Sequence, residues 1–345
     1  MPYTVRSSER TRSSGAEHET KALLYLMNLR KDSNEIHYFV VDFFNDLTGM
    51  DRFAESLWDV QSKGAKNNSP AAIGKELVTL FKNYLSDIDF KEYILFLGGV
   101  SSTVRKDETM DIIDLSNIKP SALASLKKGL KEEAVAKTYI NNSDVMDSNI
   151  NDFLRKVTFV VDNNSPSEYV RAIIKDHPDI IPEEKILNAI FNEIRNAQSE
   201  LKNTVVEGVL IQTTDEVLRY CRHLTNSEIR LLTLNRIINR NPVEKNSIPP
   251  SFIPIYSLWV PEKQREMLDE CVQTLCKALF NKNAASEFWS LFENIYSLII
   301  ANPVYSVQEI YQSLDTQIRN ASPDFDAVSL KYFISVVKDG IQNDH

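Results

Sequence analysis

Apolar positions follow two rhythms along the chain. In the first half, helical spacing alternates with short continuous runs. Ala22, Leu23, Leu26 and Leu29 mark one side of a helix over about residues 16–29. Residues 36–44 (IHYFVVDFF) are β-branched and aromatic and read as a strand, and residues 57–63 (LWDVQSK) as a shorter one. Ser69-Pro70 has the form of an N-cap followed by proline at the first helical position. Ile73, Leu77, Leu80, Phe81 and Tyr84 continue that helix as an apolar stripe. Residues 93–97 (YILFL), stopped by Gly98-Gly99, read as a buried strand. Helices over about 120–137 and 146–156 and a last strand over 157–161 (VTFVV) follow. The four strands are expected to share one sheet, flanked by the helices near Ala16 and Pro70.

After Asn163-Asn164-Ser165-Pro166 the period becomes helical almost throughout. Helices are expected over 182–203, 215–223, 227–239, 262–280, 285–300, 306–319 and 327–340, with a proline-rich connection over 241–261. The fold class that follows is an α/β N-terminal domain over 1–162, a mixed sheet flanked by helices. An all-α domain over 163–345 follows it. Trp289, Phe292, Tyr296 and Tyr305 on the later helices are suited to anchoring a protein interface, although core packing is the more common role for such a stripe.

Composition narrows the function. Glycine is scarce, 9 in 345 residues, against folds built on glycine-rich phosphate loops. No apolar run approaches the ~20 residues of a membrane span, so no membrane role is expected. The polar first fifteen residues carry Arg6, Arg10 and Arg12 and read as a flexible arm rather than a secretory signal. The three cysteines form no CxxC pair and the five histidines no HExxH, which excludes a disulfide scaffold and the common zinc motifs. A cytoplasmic location is expected. The net charge of −9 excludes a protein that coats nucleic acid generally, but leaves room for a local basic groove.

The chemistry points to four residues. Gln61 and Lys63 stand two apart on a strand and project from the same face, with Trp58, Val60 and Ser62 on the other. An oxygen ligand beside a lysine is what metal-dependent phosphodiester cleavage requires. The oxygen helps hold Mg²⁺ (or Mn²⁺), and the ammonium positions water and offsets charge at phosphorus. Asp46, after the preceding strand, supplies a carboxylate ligand of the kind hard cations take; Asp42 has the same strand parity and is the alternative. Glu19 faces the core side of the first helix, where a carboxylate needs a partner or a metal, whereas Glu17 points outward and can pair with Lys21. Cys221-Arg222-His223 is read as an ordinary helical stretch, with Arg222 on a solvated face.

The order helix-Glu, strand-Asp, strand-Gln-x-Lys, helix, strand resembles the PD-(D/E)xK nuclease superfamily. Gly15 to Glu19, Phe44-Asn45-Asp46 and Trp58 to Lys63 resemble its variant with Gln in the central position. That variant is the double-stranded DNA nuclease domain of bacterial anti-phage effectors, in cyclic-oligonucleotide signalling (CBASS) and in Lamassu-type systems with an SMC-like ATPase. Residues 151–159 are similar to the closing part of that domain, and the resemblance covers about residues 1–165. It implies a restriction-endonuclease-like fold, with Glu19, Asp46 and Gln61 as metal ligands and Lys63 as the catalytic lysine. Double-stranded DNA as substrate, operon partners such as an SMC-like ATPase, and association of copies are implied with it. Asn45 stands where such nucleases often carry a second Asp, and Gln61 is neutral, so weak metal binding or activity only in an assembly follows. The rival expectation is an adaptor subunit that keeps the fold without the catalysis.

Overall fold

The computed structural model describes residues 3–5, 13–175, 184–203, 205–244 and 247–342. Arg6, Arg10 and Arg12 lie outside these residues. Two compact units are present, Met1–Ser165 with Glu193–Thr225, and Pro166–Asn192 with Asn226–His345. The first break falls three residues from the boundary expected at 162, and the segment Glu193–Thr225 returns to the first unit.

The strands are β1 (Tyr3–Thr4), β2 (Tyr38–Val41), β3 (Leu47–Met50), β4 (Leu57–Lys63), β5 (Glu92–Leu97), β6 (Ile112–Ile113), β7 (Val157–Val161), β8 (Leu210–Ile211) and β9 (His223–Thr225). Among the described residues, seven form a mixed sheet in the order β6-β7-β5-β4-β3-β2-β9, and β1 pairs with β8 apart from it. β4, β5 and β7 run parallel, and the other neighbours are antiparallel. The four strands expected from the sequence all lie in this sheet.

Helix α1 (Ser13–Asn28) packs against β3 and β4. α2 (Pro70–Glu76) starts as expected, with the Ser69 hydroxyl accepting from the Ala72 amide and Pro70 in the first turn. The stripe then breaks at Leu77 into a second helix, α3 (Val78–Tyr84), which packs on β4. α4 (Pro120–Ala136) lies close against α2, because both lack side chains at the contact. A Cβ at Gly74 would stand 2.0 Å from the Leu126 carbonyl oxygen, and one at Gly129 would stand 2.3 Å from that of Ala71. α5 (Asp147–Leu154) completes the core under the sheet with Phe81, Phe153 and Leu126.

The strand expected over 36–44 is shorter. Asp42 adopts the left-handed region (φ 49°) and ends β2, and its amide donates to the Asp46 carbonyl at 3.1 Å. Phe43 and Phe44 are buried in that turn, so their apolar character serves the core rather than a strand. The helix expected over 215–223 is also corrected. A 3-10 segment, Thr214–Tyr220, gives way at Cys221 (φ 53°) to β9, which adds an edge to the main sheet.

The second unit is helical. α6 (Pro166–Ile173) belongs to it, and α7 (Glu184–Glu200) begins in it. α8 (Asn226–Ile238), α9 (Ile253–Tyr256), α10 (Pro261–Phe280), α11 (Ala285–Ala301), α12 (Val307–Ser313), α13 (Thr316–Ala321) and α14 (Ala327–Gln342) follow. Trp289 and Phe292 sit inside its core against Phe288 and Phe333, and so do not anchor an interface; Tyr296 and Tyr305 are partly buried against that core. No helix among the described residues is long and apolar enough to cross a membrane.

Candidate active site

The face of β4 that carries Gln61 and Lys63 is a polar row. Asp59 accepts from Asn83 Nδ2 at 2.6 Å, Gln61 Oε1 accepts from the Thr79 hydroxyl at 2.7 Å, and Lys63 Nζ lies 3.4 Å from Glu76. The match is geometric. Two residues along a strand advance about 6.6 Å and four along a helix about 6 Å. Asp59, Gln61 and Lys63 therefore meet Asn83, Thr79 and, one turn further, Glu76 in register. Trp58, on the opposite face, donates its indole N–H to Asp32 at 2.9 Å.

Asp46 is brought to this row by the sheet. Leu47 pairs with Val60, so Asp46 sits one residue further, opposite Gln61. Its Oδ2 accepts from Gln61 Nε2 at 2.7 Å and from the Ser62 amide at 2.8 Å. Asp42 points elsewhere, accepting from Arg222 at 3.1 Å; Arg222 is buried rather than on a solvated face. Glu19 accepts from Lys202 Nζ at 2.5 Å, with side chains 13% and 11% exposed. The structure thus joins Asp46 to Gln61 directly and sets Lys63 beside Gln61. Glu19 and Asp42 are each engaged by a cation from the segment Glu193–Thr225.

Beneath the row, Asn83 Nδ2 also donates to the Phe44 carbonyl at 3.2 Å, and the Tyr3 hydroxyl donates to Asn83 Oδ1 at 2.8 Å. This ties the turn that presents Asp46 to β4. Burial pushes the Asp59 carboxyl up to about 7, against the opposing pull of Asn83, Lys82 and Asn45.

A second cluster lies at the carboxyl ends of the parallel strands, where open α/β sheets place their ligands. The His18 ring rests on Gly64, the residue after Lys63; a Cβ there would stand 2.4 Å from the ring. Gly98 allows the end of β5 the same closeness, its missing Cβ falling 2.7 Å from the Gly64 carbonyl oxygen. Asp162, after β7, receives Lys21 at 2.9 Å and has His18 Nδ1 at 3.6 Å. Burial holds the His18 imidazole below its ordinary value; Asp162 opposes this and Lys21 adds to it. The sequence reading missed Asp59, His18, Asp162, Lys202 and Arg222. Asp59 carried a signal in its parity with Gln61; no local spacing links Lys202 to Glu19 across 183 residues.

Whether a divalent ion suits the Asp46–Gln61 pair is decided by the Gln61 amide. Its N–H₂ end faces Asp46, and its oxygen faces Thr79. Turning the amide over exchanges the two, and the Thr79 hydroxyl accepts as readily as it donates. The pair then offers a carboxylate and an amide oxygen, a fit for Mg²⁺, which is usually held by one or two carboxylates and keeps several waters. Among the described residues no group of three or more His, Cys, Asp or Glu side chains is placed to hold a metal ion. No protein-family model matches the chain, and neither does any curated protein or solved structure.

Proposed function

We propose that this chain is a metal-dependent deoxyribonuclease with a restriction-endonuclease-like first unit, acting as the cleaving subunit of a bacterial anti-phage complex. The observation that carries the reading is the direct Asp46–Gln61 contact, with Lys63 on the same face of β4, which runs antiparallel to β3 and parallel to β5. Asp46 and Gln61 would hold the ion. Bound there, Mg²⁺ or Mn²⁺ would supply a water of lowered pKa and positive charge for the phosphate oxygens. The Ser62 amide holds the Asp46 carboxylate in place. Thr79 holds the amide of Gln61. Lys63 orients the attacking water and offsets charge developing at phosphorus.

Double-stranded DNA is the proposed substrate, in the cytoplasm. With one carboxylate and one neutral amide the site binds metal weakly, so cutting is expected to rise when operon partners, such as an SMC-like ATPase, assemble or release copies of the chain. The second reading, an adaptor that retains the fold without catalysis, is favoured by one observation: Lys202 engages Glu19, which leaves the site one carboxylate poorer. Plasmid cleavage with and without Mg²⁺, by the chain alone and with its operon neighbours, separates the two. Lys63→Ala should lower any Mg²⁺-dependent cutting by about 10²–10³-fold. Full phage protection by Lys63→Ala at normal expression would leave the adaptor standing.

A further inference from the structure

Glu19 sits on the core-facing side of α1, its side chain 13% exposed, where a carboxylate must find positive charge. Either a divalent ion or a side-chain cation can supply it. The chain brings Lys202, from the 3-10 turn Leu201–Asn203 that follows α7, and sets its ammonium 2.5 Å from Glu19 Oε2. The attachment is built in rather than opportunistic. The next residue of α1, Thr20, donates its hydroxyl to Gln198 Oε1 at 2.8 Å, and both Thr20 and Gln198 are buried. That bond holds the end of α7 in register with α1, so the lysine is delivered to one carboxylate. The same returning segment delivers Arg222 to Asp42.

We propose that Lys202 is an internal counter-cation that takes the place of a divalent metal ion at Glu19. Mg²⁺ bound to a carboxylate oxygen sits about 2.0–2.1 Å away. On Oε2 it would stand beside the ammonium in a part-buried setting, where like charges repel more than in water. The two cations are therefore alternatives at this carboxylate. The ion-binding chemistry of the chain is then confined to Asp46 and Gln61, and the positive charge near the start of α1 is fixed and independent of metal concentration. This inference rests on the metal-dependent reading of Asp46 and Gln61 for its meaning, but its test reads ion occupancy rather than DNA cleavage.

The probe is Mn²⁺, titrated into the full chain with free Mn²⁺ read by electron paramagnetic resonance, beside thermal melting at each concentration. Glu19→Gln should leave the Mn²⁺ dissociation constant within twofold of the wild type. Lys202→Glu sets two carboxylates face to face. It should melt lower without Mn²⁺, recover several degrees as Mn²⁺ is added, and bind one more ion per chain. Lys202→Glu combined with Glu19→Gln should lose both gains. A fivefold or greater weakening of Mn²⁺ binding in Glu19→Gln would overturn the proposal, since Glu19 would then already be a ligand. So would a folded Lys202→Glu chain that gains neither an ion nor stability. If Lys202→Glu does not fold, the Glu19→Gln titration decides alone. Unchanged Mn²⁺ binding in Asp46→Asn would sink the metal site of the proposed function while leaving the Lys202→Glu arm to decide this one.

Discussion

Asp59 is fully buried on β4, where the Asn83 amide at 2.6 Å is the largest of the influences that favour its carboxylate. Burial outweighs Asn83, Lys82 and Asn45 together and raises the carboxyl from 3.8 to about 7 in the folded chain. A carboxyl raised on folding favours its protonated form there. Its contribution to stability is therefore complete below pH 3.8 and is lost as the pH rises through about 7. At 1.36 kcal/mol per pK unit, the full loss is of the order of 4 kcal/mol, and more than half of it falls between pH 5 and pH 8. Asp59→Asn removes the titration and keeps an acceptor for Asn83. The variant is expected to be no more stable than wild type at pH 5 and clearly more stable at pH 8. Denaturant unfolding at pH 5, 6, 7 and 8 measures this, and hydrogen exchange of the β4 peptide reports the opening of this sheet in particular. Parallel pH profiles for wild type and Asp59→Asn would refute the reasoning, because the carboxyl would then titrate alike in both states.

Three further outcomes follow from the same geometry. Lys63→Ala should lower cleavage by about 10²–10³-fold, the scale of losing one charge-stabilising group. Its melting temperature should barely move, because the part-exposed pair with Glu76 at 3.4 Å is worth about 0–1 kcal/mol. Gln61→Glu places a second carboxylate against Asp46, so this variant should melt lower than wild type in EDTA and gain more from Mg²⁺; a melting curve indifferent to Mg²⁺ would count against an ion at this pair. Gly74→Ala drives a methyl into the Leu126 carbonyl, whose backbone cannot yield cheaply, and should cost about 1–3 kcal/mol in denaturant unfolding.

Local pattern determined much of this protein. β4 runs over Leu57–Lys63, the range its composition indicates, and Gln61 and Lys63 share the face that strand parity requires. β7 and α4 were equally legible, because a long period or a dense β-branched run survives almost any packing. Other elements carry no such signal. β3 is Leu-Thr-Gly-Met, without period or propensity, and is a strand because β2 and β4 flank it. β9 begins two residues after Cys221, which is in the left-handed region, and its edge position comes from pairing with β2 across 183 to 187 residues of chain. The candidate site divides the same way. Residue spacing put Gln61 beside Lys63, and the sheet register then chose Asp46 over Asp42 as the partner of Gln61. That Glu19 meets an ammonium depends on the segment that returns to the first unit, and that His18 lies on Gly64 depends on how α1 packs against β4. Periodicity reports only which face of an element is buried. The partner of a buried charge is set by whatever distant segment fills the space beside it, because the cost of leaving that charge unpaired is met in the folded core alone.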